Sequence, residues 1–230
     1  MSFKYEKAVP WGRSFDEYQR MFNLTNEDLC RKILGCADGP ASFNAGMAKL
    51  GRRVVSCDPL YQLTASQIRA RIDATHEEVM KQTQLNQEKF VWDNFISSPK
   101  VLGRVRLQAM SDFLADYEAG RAEGRYLPIE LPDLPFPGLF FDLALCAHFL
   151  FFYSDSLSLE FHQLAVDELC RVAREVRIFP ILTYNAEPSP CLDPVMDFLK
   201  AQGKIVSLER VPYEFQRAGN VMLRVTNSPS

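Results

Sequence analysis

With 230 residues, 47% of them hydrophobic and 17 of them Phe, the chain has material for one large core and is too short for two full α/β domains. Its net charge of −3 comes without any basic block, which gives no footprint for nucleic acid, and its longest apolar stretch, 139–153, is interrupted by Asp142 and His148 and too short to span a bilayer. Six scattered cysteines without a CxxC argue against structural zinc and for a reducing, cytoplasmic setting, and 1–15 lacks the apolar region of a signal peptide.

In chain order, Ser14 with Glu17 three positions on forms a capping box, so a helix is expected from Phe15 within an N-terminal helical cover over 1–30. Asn26-Glu27-Asp28 predicts a short turn of helix. Ile33 and Leu34 form an apolar run that enters the small-residue turn 35–41. Residues 42–50 predict a crossover helix with Phe43, Met47 and Leu50 inward and Gly51 as its stop. Residues 53–57 predict a second strand that ends at Asp58.

The strand–helix rhythm then breaks. Three helical segments are expected in 62–125, read from Ile68, Ile72, Thr75 and Val79, from Phe90, Val91, Trp92, Phe95 and Ile96, and from the apolar positions between Leu102 and Tyr117. This helical insertion after strand two is expected to pack over one edge of the sheet and to serve as a lid; the plainer reading is that its helices only bury their apolar faces against the sheet edge or a second subunit. Further strands are predicted at 126–131, 139–146 and 176–182. Helices are predicted at 155–174, with Phe161, Leu164, Ala165, Leu169 and Val172 inward, and at 192–202. The last two strands, 204–215 and 220–226, are joined by 216–219, and so short a link makes them antiparallel. The expected fold is α/β: one domain over 1–230, a mostly parallel seven-stranded sheet with helices on both faces, and a C-terminal antiparallel hairpin.

The strongest functional signal is strand, small-residue turn, helix, strand, acid, with Gly39 and Asp58 19 positions apart. Small residues let the backbone approach a nucleotide, and an acid at the second strand's tip can accept from ribose hydroxyls. The residues alone leave plainer readings open. They are Asp58 as a turn cap, Asp38 in an Asx-turn, Glu130 as a solvated edge residue, His148 satisfying a backbone carbonyl, Tyr153 as packing and Arg13 as a surface arginine; His76 and His162 read as solvated helix positions.

Taken in order, the first turn, the acid after strand two, Leu134-Pro135-Phe136, the Phe-Asp strand and the terminal hairpin resemble the class I S-adenosylmethionine-dependent methyltransferases over 30–61 and 126–226. The resemblance implies binding of S-adenosylmethionine, with S-adenosylhomocysteine as product, along Gly35, Cys36, Ala37, Asp38, Gly39 and Ala41. Ala37, Gly39 and Ala41 stand at the family's glycine positions, and Ala there calls for ordinary backbone angles. It further implies Asp58 on the ribose, Pro59 and Leu60 beside the adenine, Glu130 and Leu131 at its exocyclic amine, and Ala147 beside the methionine portion. Gly35 stands where the family usually has the acid that helps hold the cofactor's ammonium, and Asp38 is the nearby substitute. Arg13 is the candidate donor to the cofactor carboxylate.

Methyl transfer from a sulfonium needs alignment above all, and His148 is the candidate general base, with Tyr153 as a second catalytic candidate. The acceptor is expected to be a small molecule; neither a metal nor a nucleic acid is expected. Two rival readings are an inactive methyltransferase-like binding or scaffold protein, motivated by Gly35, and a nicotinamide-dependent oxidoreductase, motivated by Asp58. The terminal hairpin speaks against the second.

Overall fold

The computed structural model describes residues 10–227, so the part of the expected cover that falls on 1–9 lies outside the described residues. Strand β4 (Phe141–Ala147) organises the rest. Its Leu143, Leu145 and Ala147 enter one core with Ile33, Val54, Phe43 and Met47, while Ala144 and Cys146 enter another with Leu34, Cys36 and Leu169. A strand buried on both faces reads as one apolar run, as this one does.

Beside β4 lie β1 (Ile33–Cys36), β2 (Val54–Cys57) and the two-residue β3 (Tyr126–Leu127) on one side. On the other lie β5 (Ala173–Phe179), β7 (Val221–Thr226) and β6 (Ile205–Arg210). The order is β3-β2-β1-β4-β5-β7-β6, with β7 antiparallel to both neighbours and every other pairing parallel. Helices α1 (Phe15–Met21) and α2 (Phe43–Lys49) cover one face; α5 (Leu159–Val172) and α6 (Leu192–Ala201) cover the other. The capping box at Ser14 and Glu17 is present.

The insertion consists of two long helices, α3 (Ala65–Leu85) and α4 (Pro99–Ala122). They share an aromatic core of Tyr61, Phe113, Tyr117 and Tyr126 with Ile68 and Ile72. The helix expected over 90–96 is absent. Phe90 bridges to Gln216 and stacks on Phe215 at 4.6 Å, and Asp93 Oδ1 accepts from the backbone of Phe95 and Ile96 at 2.8 and 2.9 Å. That dense apolar run reflects packing against the β6–β7 connection, with Asp93 closing a turn.

That connection is longer than expected, spanning 211–220. The strand expected over 126–131 pairs only at Tyr126 and Leu127. Leu50 and Leu164, expected inward, are 57% and 52% exposed. His162, expected to be solvated, is fully buried, its ring nitrogens 2.8 Å from the Ser158 carbonyl and 3.0 Å from that of Leu150. Among the described residues no helix is long and apolar enough to cross a membrane.

Candidate cofactor and acceptor cavity

The order of the sheet reverses between β1 and β4, and in open α/β sheets ligands bind outside the carboxyl ends of the strands at such a point. A cavity of about 940 Å³ opens there.

Its floor is the loop after β1. Ala37 and Gly39 both have positive φ, 57° and 52°. The expectation of ordinary angles at the alanine positions therefore fails at Ala37, where the left-handed conformation costs about 1–2 kcal/mol in a residue with a Cβ. Neighbouring contacts hold it there: the Ala37 N–H donates to the Cys57 carbonyl at 2.8 Å. Asp58 closes the loop from the β2 side, its two oxygens accepting from the Gly39 and Leu60 backbone, each at 2.8 Å. This bond is the physical content of the Gly39–Asp58 spacing. Burial pushes the Asp58 carboxyl up from its ordinary value.

Gly35 and Asp38 form one device. A Cβ built on Gly35 would lie 1.9 Å from Asp38 Oδ2, so the Asp38 carboxylate fills the space a side chain at 35 would need. Tyr18 donates to its Oδ1 at 2.8 Å and Ser56 to its Oδ2 at 2.7 Å. Burial pushes this carboxyl up to about 6, against the opposing effect of the two hydroxyls.

Arg13 lines the cavity and is half-buried, which is not the setting of a plain surface arginine. Its carbonyl accepts from Ser42 at the start of α2 at 3.0 Å, and its Nη1 donates to the Trp11 carbonyl at 2.7 Å. Its Nε is buried without a partner among the described residues. Burial, then the nearby Arg106, lowers it to about 10. Arg106 of α4 is fully buried and paired with Glu17 of α1, which also accepts from the Tyr213 hydroxyl at 2.7 Å.

His148 follows β4 with φ 50°, its N–H donating to the Phe179 carbonyl at 2.6 Å. Its ring sits edge-on to Phe152 and Phe179, centroids 5.3 and 5.6 Å away. Burial, then Arg13 and Arg106, holds the imidazole well below its ordinary range, so it is neutral at physiological pH. Tyr153 lies in the same wall, near Phe149 and Tyr184.

The structure thus brings together around one cavity Arg13, Cys36, Ala37, Asp38, Gly39, Asp58, Pro59, Leu60, Glu130, Leu131, Ala147, His148 and Tyr153. Gly35 and Ala41 do not reach its surface; Gly35 lies behind Asp38, and Ala41 packs into the core beside Phe43. Glu130 is exposed at the rim. Several lining residues were not singled out from the sequence: Tyr18, the Arg71–Thr75–Val79 face of α3, and Gln216 with Phe215 from the β6–β7 connection. Of these, only the α3 spacing left a readable trace. Among the described residues no group of His, Cys, Asp or Glu is placed to hold a metal ion.

No protein-family model matches the chain. It is 34% identical over 217 residues to the uncharacterised protein MJ0045 of Methanocaldococcus jannaschii, which covers 94% of this chain and 95% of that protein. Among solved structures, it is similar to a proposed S-adenosylmethionine-dependent methyltransferase of Methanococcus maripaludis, with TM-score 0.48 and 10% identity over 94% of this chain and 84% of that one. It is also similar to the magnesium protoporphyrin IX methyltransferase of Synechocystis crystallised with S-adenosylmethionine, with TM-score 0.44 and 12% identity over 93% and 91%. The strand order, with its reversed seventh strand, is that of the class I S-adenosylmethionine-dependent methyltransferase fold.

Proposed function

We propose a function for a chain that belongs to one family with MJ0045 and has the class I methyltransferase fold: it binds S-adenosylmethionine and transfers its methyl group to a small-molecule acceptor. The observation that carries this reading is the loop closed by Asp58 on Gly39, with the Asp38 carboxylate in the space a side chain at 35 would occupy, all on the wall of one large cavity.

In this reading the free lone pairs of Asp58 accept from the ribose hydroxyls, and Pro59 and Leu60 flank the adenine. Glu130 and the backbone of Leu131 meet its exocyclic amine. Cys36, Ala37 and Gly39 offer backbone to the methionine portion, and Ala147 bounds it from β4. Asp38 attracts the ammonium, and Arg13 offers a guanidinium fork to the carboxylate. The bound cofactor supplies a methyl group already carried on a good leaving group. The protein's task is then to align the acceptor against it and exclude water. His148 and Tyr153 are the polar groups best placed to meet the acceptor. The Arg71–Thr75–Val79 face of α3 supports a lid role for the insertion, because it shares the cavity with the cofactor loop.

The inactive-protein reading rested on the missing acid at 35, and the position of Asp38 weakens that ground. Parallel calorimetric titration with S-adenosylmethionine, S-adenosylhomocysteine and NAD tests the proposal. Binding of the first two without NAD is expected. Binding of NAD alone, or of none of the three, would overturn it.

A further inference from the structure

His148 is the feature that the reading above leaves least explained. A general base for methyl transfer works best with a pKa near the operating pH. The surroundings of this imidazole oppose that. Two guanidinium groups act on it, Arg13 from the segment before α1 and Arg106 from α4, and burial adds to their effect. Glu17 of α1 is engaged with Arg106 and Tyr213. The loops after β4 and β5 bring Tyr153 and Tyr184 to the same wall, and α3 brings Arg71. The cavity's acids, Asp38, Asp58 and Glu130, sit on the loops after β1, β2 and β3, and none of them offsets the two arginines at His148.

The ring's two nitrogens differ. Nδ1 is buried and has no partner among the described residues; Nε2 is not sealed in this way, and the residue lines the cavity. A neutral imidazole carries one proton. Placed on Nδ1, it would be a buried donor without an acceptor, in a field already made positive by two guanidinium groups. Placed on Nε2, it leaves only a lone pair on the buried Nδ1, which a positive field tolerates better than a buried N–H, and presents an N–H to the cavity. Electrostatics therefore selects the Nε2–H form.

We propose that the acceptor is methylated as an anion, its charged nucleophilic atom docked on the Nε2–H of His148, which donates a hydrogen bond and takes no proton. The flanking rings of Phe149, Phe152, Tyr153 and Phe161 fix the rest of the chemical class. It is a flat, unsaturated molecule carrying an ionised oxygen or sulfur, such as a phenolate, enolate or thiolate. The transfer balances without a base. The nucleophile's electron pair forms the bond to the methyl carbon as the carbon–sulfur bond breaks, and the pair of that bond stays on sulfur. The two opposite charges cancel and no proton is released. This inference rests on the methyl-transfer reading for its consequence, but its test is independent of it.

The test uses 4-nitrophenol, whose phenol and phenolate absorb at different wavelengths, titrated over pH with the full-length protein in excess and saturated with S-adenosylhomocysteine. The bound probe is expected to ionise about one pH unit or more below the free probe, a preference for the anion of about tenfold. His148→Phe, which keeps a ring and removes the N–H, is expected to erase most of that shift. A bound probe that ionises at or above the free value, or no binding at millimolar concentration, would overturn the proposal. A second measurement needs no variant. With three histidines in the chain, ¹⁵N spectra resolve each ring, and His148 is expected to be neutral and Nε2-protonated from pH 5.5 to 8. An Nδ1–H form, or titration near the ordinary histidine value, would equally refute it. Failure of S-adenosylhomocysteine to bind, with the anion preference retained in the free protein, would instead count against methyl transfer alone.

Discussion

At Gly35 the absence of a side chain is what allows Asp38 to fold back into the strand end. Gly35→Ala places a methyl 1.9 Å from Asp38 Oδ2, so the carboxylate must leave its bonds to Tyr18 and Ser56. The expected cost is about 1–3 kcal/mol in urea unfolding, with a loss of S-adenosylhomocysteine affinity. Asp38 also makes a prediction about pH. Its folded pKa, about 6, lies above its ordinary 3.8. The unfolded chain therefore gives up this proton first. Stability attributable to the group is complete below pH 3.8 and is lost as pH rises through 6, by about 3 kcal/mol. The difference in unfolding free energy between the protein and Asp38→Asn, followed from pH 3.5 to 7, should show that fall. If the cofactor's ammonium meets this carboxylate, affinity for S-adenosylhomocysteine should run the other way, weakening about tenfold from pH 7 to 5, and the Asn variant should be flat. For Asp58, whose bonds close the loop, Asp58→Ala is expected to weaken S-adenosylhomocysteine binding roughly 10- to 150-fold by calorimetry.

Among the elements, α4 docks on α1 through one buried ion pair. Arg106→Met leaves Glu17 charged and buried with only the Tyr213 hydroxyl and the Ser14 groups for partners. Breaking such a pair from one side costs about 3–5 kcal/mol, measurable as a lowered urea midpoint. On α3 the cavity-facing residues run along 71–83, so hydrogen exchange on adding S-adenosylhomocysteine should slow there if the insertion closes as a lid. Slowing confined to 35–60 and 130–150 would make the insertion structural. The elements also show what the sequence could reveal. Caps and local periodicity are written within a few residues, and the Ser14 capping box, the helical spacing from Ile68 to Val79 and the continuous apolar run of β4 were all readable. The strand–turn–helix–strand–acid order located the loop and Asp58 for the same reason. Phe90 to Ile96 was misread because its apolar density answers to Phe215, more than 100 residues away, and no local pattern records such a partner. His148 was legible as a cavity residue, but its protonation depends on Arg13 and Arg106, which come from two distant segments.

For the molecule as a whole, the cysteines follow the sheet. Cys57, Cys36 and Cys146 are neighbours in register across β2, β1 and β4, all without disulfides, and Cys30 is the exposed thiol. Native protein treated with an alkylating reagent should modify Cys30 quickly and the five buried thiols only on unfolding. The register of β1 has a further consequence, in time. Its neighbour β4 follows only after both long helices: the Lys32 N–H finds the Asp142 carboxylate across 110 residues. During synthesis at about 5–20 residues per second, one edge of β1 waits roughly 5–20 s for its partner, while α2 and β2 are already complete. Over that interval the nascent chain carries an unpaired apolar edge, and closing the centre of the sheet is the long-range step expected to set the folding rate.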